Sequence, residues 1–147
     1  MILDFLAQLG DAQAITSADA YTTNAYDMGN TTPKRHLDGE PMCIMFVVTT
    51  AAGADGGSFT DTCDFMAVES ANSNLSSHAV MQQRRIPAAQ LVAGAIVVVN
   101  IPPGRPTARY IGGRIELGAD DTVSVDSYIV PLSHVQAFLA YAKGYVV

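Results

Sequence analysis

The chain has 147 residues, of which 49% are hydrophobic and 15% charged, and its 8 Lys and Arg against 14 Asp and Glu give a formal net charge of −6. This length suits one domain over residues 1–147, and the low charge density excludes an intrinsically disordered chain. The acidic balance argues against binding to nucleic acid or an anionic membrane, and no apolar run reaches the roughly 20 residues of a membrane-spanning helix.

Turn residues divide most of the chain into short apolar or alternating segments that predict β-strands. In chain order, the predicted strands cover residues 12–16, 21–28, 42–50, 59–70, 78–86, 95–101, 108–117 and 122–130. Residues 42–50 are apolar on both faces, as in a central strand, whereas residues 78–86 are polar enough for an edge strand. A loop is predicted over residues 51–58, and Pro and Gly bound a short helical turn over residues 87–94.

The last two predicted strands have one apolar face each. These faces carry Ile111, Ile115 and Leu117 in the first strand and Val123, Val125 and Ile129 in the second. Residues 118–121 join the strands at hairpin length, which predicts an antiparallel hairpin. Seven or eight strands with hardly any helix predict an all-β antiparallel sandwich or barrel with its core over about residues 11–130.

The segment 59–70 alternates imperfectly, because Cys63 and Phe65 share one face while Met66 and Val68 share the other. Either both faces of this strand are covered or a bulge reverses its register. Cys43 and Cys63 have no metal-ligand spacing and are predicted to be buried thiols, with a disulfide as the alternative if their strands adjoin.

Apolar residues at both ends of the chain recur at helical spacing. They are Ile2, Phe5, Leu6 and Leu9 at the N-terminus and Val135, Phe138, Leu139 and Ala142 near the C-terminus. We expect short helices or arms at both ends, the second with Ser133 as its N-cap. The first six residues lack the positive region of a secretory signal, so we expect a protein that is not exported.

No group of residues has the spacing of a catalytic or metal site. The histidines lie in three separate segments, at His36, His78 and His134. This separation favours solvated or capping roles over a shared site. Asp55, Asp61 and Asp64 lack the ordered spacing of a calcium loop. We therefore predict no cofactor and no enzymatic activity.

Two features indicate contact with a partner. Arg84 and Arg85 are adjacent in a predicted strand, so one guanidinium faces each side of the sheet, either solvated or in contact with a partner. The aromatic C-terminus packs either on the chain's own core or on another subunit. The candidate contact residues are Ile2, Phe5, Arg84, Arg85, Phe138, Tyr141 and Tyr145.

Several short segments occur in an order that resembles a known family. They are Asp11-Ala12-Gln13-Ala14-Ile15-Thr16, Asp27-Met28-Gly29, Gly39-Glu40-Pro41-Met42, Ile86-Pro87, Leu91-Val92-Ala93-Gly94, Pro102-Pro103-Gly104 and Arg109-Tyr110-Ile111. The ordered set resembles the capsid cement, or decoration, proteins of short-tailed bacteriophages over about residues 11–130.

This resemblance implies a jelly-roll-like sandwich on the outer surface of a virion, assembled in the host cytoplasm, that bridges neighbouring major capsid protein subunits. It also implies a homo-oligomer, with a dimer favoured over a trimer, and it brings no catalytic residue. Residues 131–147 depart from the family, whose chains tend to stop near the last strand, and form a C-terminal extension.

A jelly roll also suits a carbohydrate-binding or host-adhesion module, in which exposed Trp and Tyr rings stack on sugars. The chain has no Trp, and Tyr21, Tyr26 and Tyr110 are the tyrosines to test for this role. An enzyme of the cupin type would need clustered His and Glu ligands, which the scattered histidines oppose.

Overall fold

The computed structural model describes residues 7–16, 19–30, 41–54, 62–102, 104–118 and 121–136. Within them, the strands are β1 (Gln8–Ile15), β2 (Asp19–Tyr21), β3 (Tyr26–Asp27), β4 (Met42–Ala54), β5 (Thr62–Ser70), β6 (Ala79–Pro87), β7 (Ile96–Asn100), β8 (Tyr110–Glu116) and β9 (Asp121–Pro131). A 3-10 helix spans Ala88–Gln90, within the helical turn predicted over residues 87–94. Residues 132–136 are also helical.

The strands form two antiparallel sheets. Sheet A has the order β1–β9–β4–β7, and sheet B has the order β2–β8–β5–β6. Strand β3 also pairs with β8, next to Tyr110 and Ile111, while β2 pairs with residues 114–116 of the same strand. When β2 and β3 are counted as one interrupted strand, the two sheets have the four-and-four arrangement of a jelly roll. The predicted all-β, jelly-roll-like antiparallel sandwich is confirmed.

The core lies between the sheets, where alternate residues of the facing strands point inward. Phe46 of sheet A and Phe65 of sheet B meet at its centre, with ring centroids 5.1 Å apart and planes tilted by 57°. The other large side chains with almost no exposed surface in this core are Leu9, Ile15, Met28, Ile44, Val48, Leu91, Ile111 and Ile115. Burial of this apolar area is the main term that stabilises the sandwich.

The predicted hairpin between the last two strands is wrong, although the inward faces of both strands are correct. Strand β8 pairs with β5 in sheet B, whereas β9 pairs with β1 and β4 in sheet A. The chain therefore passes from sheet B to sheet A between β8 and β9. Two strands that face each other across a sandwich have the same one-sided apolar pattern as two strands paired in a hairpin, so alternation cannot separate the two cases.

Three boundaries also differ from the predictions. Strand β4 continues over residues 51–54 of the predicted loop, because Gly53 and Ala54 pair with Thr122 and Asp121 of β9, and residues 55–58 lie outside the described part of the chain. The predicted strand 21–28 is divided between β2 and β3. The spacing of apolar residues predicted that Leu9 lies in a helix, but it lies in strand β1. It is buried because its side chain packs in the core between the sheets, with 1% of its surface exposed.

Strand β5 is buried on both faces, which resolves the ambiguity in its pattern. Cys63 and Phe65 face the core, while Met66 and Val68 form a second cluster with Leu75 on the outer side of sheet B. The pairing of β5 with β6 has a register shift between Ala67 and Val68. The side chains on both faces of β5 are nevertheless buried.

The two cysteines are buried thiols, as predicted. Cys63 lies in the core, and Cys43 lies in a separate cluster on the outer side of sheet A. Burial raises the pKa of Cys43 to about 11, so this thiol is neutral at pH 7, and its Sγ donates a hydrogen bond to the Val130 carbonyl at 3.4 Å.

Candidate contact surfaces

The outer strands of the two sheets, β6 and β7, lie on the same side of the sandwich and form what we call the β6–β7 edge (Ala79–Pro87 and Ile96–Asn100). Strand β6 is exposed along nearly its whole length, as predicted for an edge strand. Its residues include Val80, a large apolar side chain that is 44% exposed. An exposed edge of this kind presents backbone groups and side chains to a partner.

Arg84 and Arg85 lie on this edge and point to opposite faces of sheet B, as the sequence predicts. Arg84 is paired across the strands with the inward-facing Phe65, and its Nη1 donates to the Val98 carbonyl at 3.3 Å. Because Val98 belongs to β7, this hydrogen bond links sheet B to sheet A at the β6–β7 edge.

Arg85 lies on the outer face of sheet B and forms a bidentate ion pair with Asp64. Its Nε and Nη2 donate to the two carboxylate oxygens at 2.8 Å each, while 65% of the arginine side chain stays exposed. The hydrogen bond from Arg85 holds the pKa of Asp64 below its ordinary value, despite the opposing effect of burial. Solvent screens an exposed pair of this kind, which therefore contributes little to folding. The exposed part of the guanidinium lies where a partner can reach it.

A row of charges continues across the outer face of sheet B from Arg85 toward β2. Asp64 lies opposite Glu116, which lies opposite Asp19, and Arg114 donates to the last two. The Arg114 side chain is only 18% exposed, whereas that of Asp19 is 50% exposed. The charges of the row are thus balanced largely within the protein, and their spacing is fixed by the register of four strands.

His78 lies near one end of this face and contacts Tyr21. The Tyr21 hydroxyl and His78 Nδ1 are 2.9 Å apart, and the rings meet edge to face with centroids 5.3 Å apart. Burial and the nearby charge of Arg114 lower the pKa of His78 below its ordinary value. His78 is therefore neutral at pH 7 and serves as a hydrogen-bonding neighbour of the tyrosine.

The tyrosines considered for sugar binding are all half-buried and packed against neighbours. Tyr21 and Tyr110 border the Met66 cluster, and Tyr26 packs against the main core. The Arg109 guanidinium lies 4.9 Å from the centroid of the Tyr110 ring. Packing of this kind leaves less ring surface than a flat stacking platform requires.

Glu69, near the end of β5, is a buried carboxylate whose role no sequence pattern indicates. It accepts hydrogen bonds from the Arg105 side chain, from the Thr107 backbone N–H and from the Ala108 backbone N–H at 3.0 Å. Burial alone would raise its pKa, but these hydrogen bonds outweigh it and hold the pKa below its ordinary value. Glu69 thus fixes the connection between β7 and β8. A lone Glu gives no sequence signal for partners almost 40 residues away.

The outer side of sheet A carries an apolar face, which we define by Cys43, Met45 and Val47 of β4, Ile96 and Val98 of β7, and Tyr128 and Val130 of β9. The register aligns them in rows, with Met45 between Val98 and Tyr128 and with Val47 beside Ile96. An outer sheet face that lies against water normally alternates with polar residues. Only the apolar pattern of residues 42–50 signalled this face in the sequence.

The helical residues 132–136 pack against one end of the apolar face. The Leu132 N–H donates to the Pro41 carbonyl at 2.8 Å, and Val135 is 3% exposed among Cys43, Met45 and Val130. Helical residues begin at 132, so Ser133 lies in the first turn and is not the N-cap that was predicted.

Several predicted residues lie outside the described part of the chain. Among the candidate contact residues these are Ile2, Phe5, Phe138, Tyr141 and Tyr145, and among the polar candidates His36, Asp55 and Asp61. His134 is exposed on the helical segment, far in sequence from His78 and in a different element. The described residues contain no group of three or more His, Cys, Asp or Glu side chains that could hold a metal ion. Within the same ranges, no helix is long and apolar enough to cross a membrane.

Comparison with known proteins gives one family match. The family model Bbp16 matches residues 9–123, which include all of β1 except its first residue, β2 through β8, and the start of β9. No curated protein matches the chain.

Proposed function

Because this chain belongs to the Bbp16 family, a phage-related family, we propose that it is a structural virion protein that decorates and stabilises an icosahedral capsid. It binds the outer surface of the shell, where it bridges neighbouring major capsid protein subunits and associates with further copies of itself. The observation that carries the proposal is the family match, which covers most of a jelly-roll sandwich.

The β6–β7 edge supplies a surface suited to this role. It combines an exposed strand, the exposed Val80 and the largely exposed guanidinium of Arg85. The N–H groups of Arg85 that do not donate to Asp64 can donate to a carboxylate or a backbone carbonyl on the shell. Each contact can be modest, because a protein that binds a shell at many sites gains from multivalency.

Co-sedimentation with capsids tests the proposal. Purified protein is added to expanded capsids that lack it, from the phage that encodes this chain, and the capsids are pelleted and then heated. We expect the protein to pellet with the shells and to raise their disruption temperature. Protein that stays in the supernatant and leaves the disruption temperature unchanged would contradict the proposal.

Substitution of Arg85 tests where the shell binds. The variant Arg85→Ala is expected to weaken capsid binding several-fold, with a smaller dependence on salt, because it removes a cation from the contact. The matched control is Arg109→Ala, since Arg109 also forms an exposed ion pair, with Asp27. Equal loss in both variants would assign the effect to overall charge and rule out a specific role for the edge.

A further inference from the structure

Strand β6 is the last strand of sheet B and has a strand partner on one side. Among the described residues it pairs with β5, so alternate backbone N–H and C=O groups of β6 point away from the sheet. Seven of its nine residues are exposed. An exposed edge of this kind is a template to which a partner can add a further strand.

Only part of β6 is regular enough for such pairing. The register with β5 shifts between Val80 and Gln82, so Met81 has no opposite residue. At the other end, Pro87 has no backbone N–H to donate. The regular segment is therefore residues 82–86. A bulge and a proline that flank an edge restrict pairing to a short partner strand and oppose longer, unspecific pairing.

Strand β7, the other strand of the β6–β7 edge, is less open to a partner. It has five residues, of which two are buried and one is exposed. The Val98 carbonyl in its middle already accepts a hydrogen bond from Nη1 of Arg84. Of the two strands, β6 thus offers the longer and more exposed row of backbone groups.

The charge of β6 indicates which kind of strand it accepts. The strand contains two arginines and no acidic residue. The Arg85 side chain is 65% exposed and that of Asp64 only 11% exposed, so a partner at this edge meets the guanidinium first. A second copy of β6 would bring the same cations to the edge, and like charges on paired strands are destabilising. A segment that carries a carboxylate would gain a charge-assisted hydrogen bond instead.

We propose that an extended segment of the major capsid protein adds to sheet B as a strand beside residues 82–86, and that a carboxylate of this segment binds Arg85 on the outer face. The inference rests on the proposed function, since it states how the shell is held. Backbone hydrogen bonds supply the affinity, and the carboxylate fixes the position of the added strand. The N–H groups of Arg85 that do not donate to Asp64 receive the carboxylate.

Hydrogen exchange of the backbone amides, resolved by residue with mass spectrometry, tests the strand addition. The full-length chain is measured alone, at low and at high concentration, and on expanded capsids that lack it. We expect alternate amides within residues 82–86 to exchange about ten-fold more slowly, or slower still, on the capsid, because the added strand bonds every second N–H group. The amides of β7 serve as the control and should change little.

Three outcomes would overturn the inference. Capsid binding without slower exchange in residues 82–86 would contradict strand addition and leave the proposed function intact. Slower exchange in the concentrated free protein would assign the edge to a second copy. Failure to bind capsids at all would overturn the proposed function and this inference together.

A pair of variants tests where the carboxylate lies. Gln83 shares the outer face with Arg85, whereas the adjacent Gln82 points to the opposite face, and both are exposed. Gln83→Glu and Gln82→Glu change the net charge equally, but only the first places a carboxylate beside the one that Arg85 receives. We expect Gln83→Glu to weaken capsid binding several-fold more than Gln82→Glu, as measured by co-sedimentation. Equal losses would overturn the assigned position of the carboxylate.

Discussion

At the scale of single residues, Glu69 stabilises a connection between strands through hydrogen bonds that the burial of its carboxylate strengthens. It accepts from the Arg105 side chain and from the backbone of Thr107 and Ala108. Only 3% of the residue is exposed, so loss of its charge leaves these donors with a weaker acceptor.

We predict that Glu69→Gln lowers the free energy of unfolding by about 1.5–3 kcal/mol at pH 7, the range for hydrogen bonds to a charged group. The measurement is urea denaturation followed by circular dichroism. The control is Glu116→Gln, because Glu116 pairs with Arg114 but its side chain is 37% exposed; we expect a loss of at most ~1 kcal/mol there. Similar losses in the two variants would contradict the role assigned to Glu69.

The pH dependence of stability provides a second check on the same residue. Because the pKa of folded Glu69 lies below its ordinary value of 4.5, its contribution is fully present above the unfolded pKa and is lost as pH falls through the folded pKa. Wild-type stability should therefore fall more steeply than that of Glu69→Gln as the pH drops below about 4.5. Parallel curves for the two proteins would contradict the assignment.

At the scale of strands, the sequence predicted which residues point inward far better than which strands pair. Alternation identified Ile111 and Ile115 in β8 and Val123 and Val125 in β9 as core residues, and all four are buried. The same alternation is compatible with pairing in one sheet or packing across two. The choice between them depends on contacts between distant strands, which a local pattern does not contain.

The contact surfaces were predictable to a similar extent. The opposite orientation of Arg84 and Arg85 follows from strand geometry alone, and the structure confirms it. Their partners do not follow from it, because Asp64 and Val98 are brought to the edge by neighbouring strands. Contact of either arginine with another protein stays a prediction.

Strand β8 crosses the centre of sheet B with two adjacent glycines, and the space at Gly113 explains one of them. A Cβ at this position would lie 2.7 Å from Cζ of Phe46 and 2.9 Å from Cγ2 of Thr22. Phe46 is fully buried and packs on Phe65, so its ring has no free space to enter. Glycine at position 113 therefore allows β8 to lie close to the ring of Phe46.

We therefore predict that Gly113→Ala lowers the free energy of unfolding by about 1–3 kcal/mol through overpacking. The control is Gly53→Ala in β4, where a Cβ would meet Oγ1 of Thr122 at an ordinary 3.4 Å and no other atom of the described residues within 4 Å. We expect a change within about 0.5 kcal/mol there. Thermal and urea unfolding of both variants measure the difference. A stability for Gly113→Ala equal to that of Gly53→Ala would show that the core can yield at this point.

At the scale of the whole molecule, the two outer sheet faces differ in chemistry. Sheet B carries the balanced row of charges from Asp19 to Arg85, whereas sheet A carries the apolar face contacted by residues 132–136. The predicted extension 131–147 is thus divided by the structure, because Pro131 is the last residue of β9 and pairs with Met42. Leu132 and Val135 then contact the apolar face.

Two shortened chains test this division. A chain ending at Pro131 lacks Leu132 and Val135, and we expect it to be about 2–4 kcal/mol less stable than a chain ending at Gln136, since it loses the burial of two apolar side chains. Urea denaturation of the two chains gives the difference directly. Equal stability would mean that residues 132–136 contribute nothing to the fold.

The pairing of β1 with β9 has a consequence for how the protein folds. The first and last strands of the structure lie side by side in sheet A, and β2 and β3 pair with β8, so neighbours in space are distant in sequence. Closing such long loops costs entropy before the contacts form, which slows folding to milliseconds or longer. During synthesis, β1 has no strand partner in sheet A until β9 has left the ribosome. Of the described strands, β1 and one side of β4 therefore stay unpaired in the nascent chain until β9 has been made.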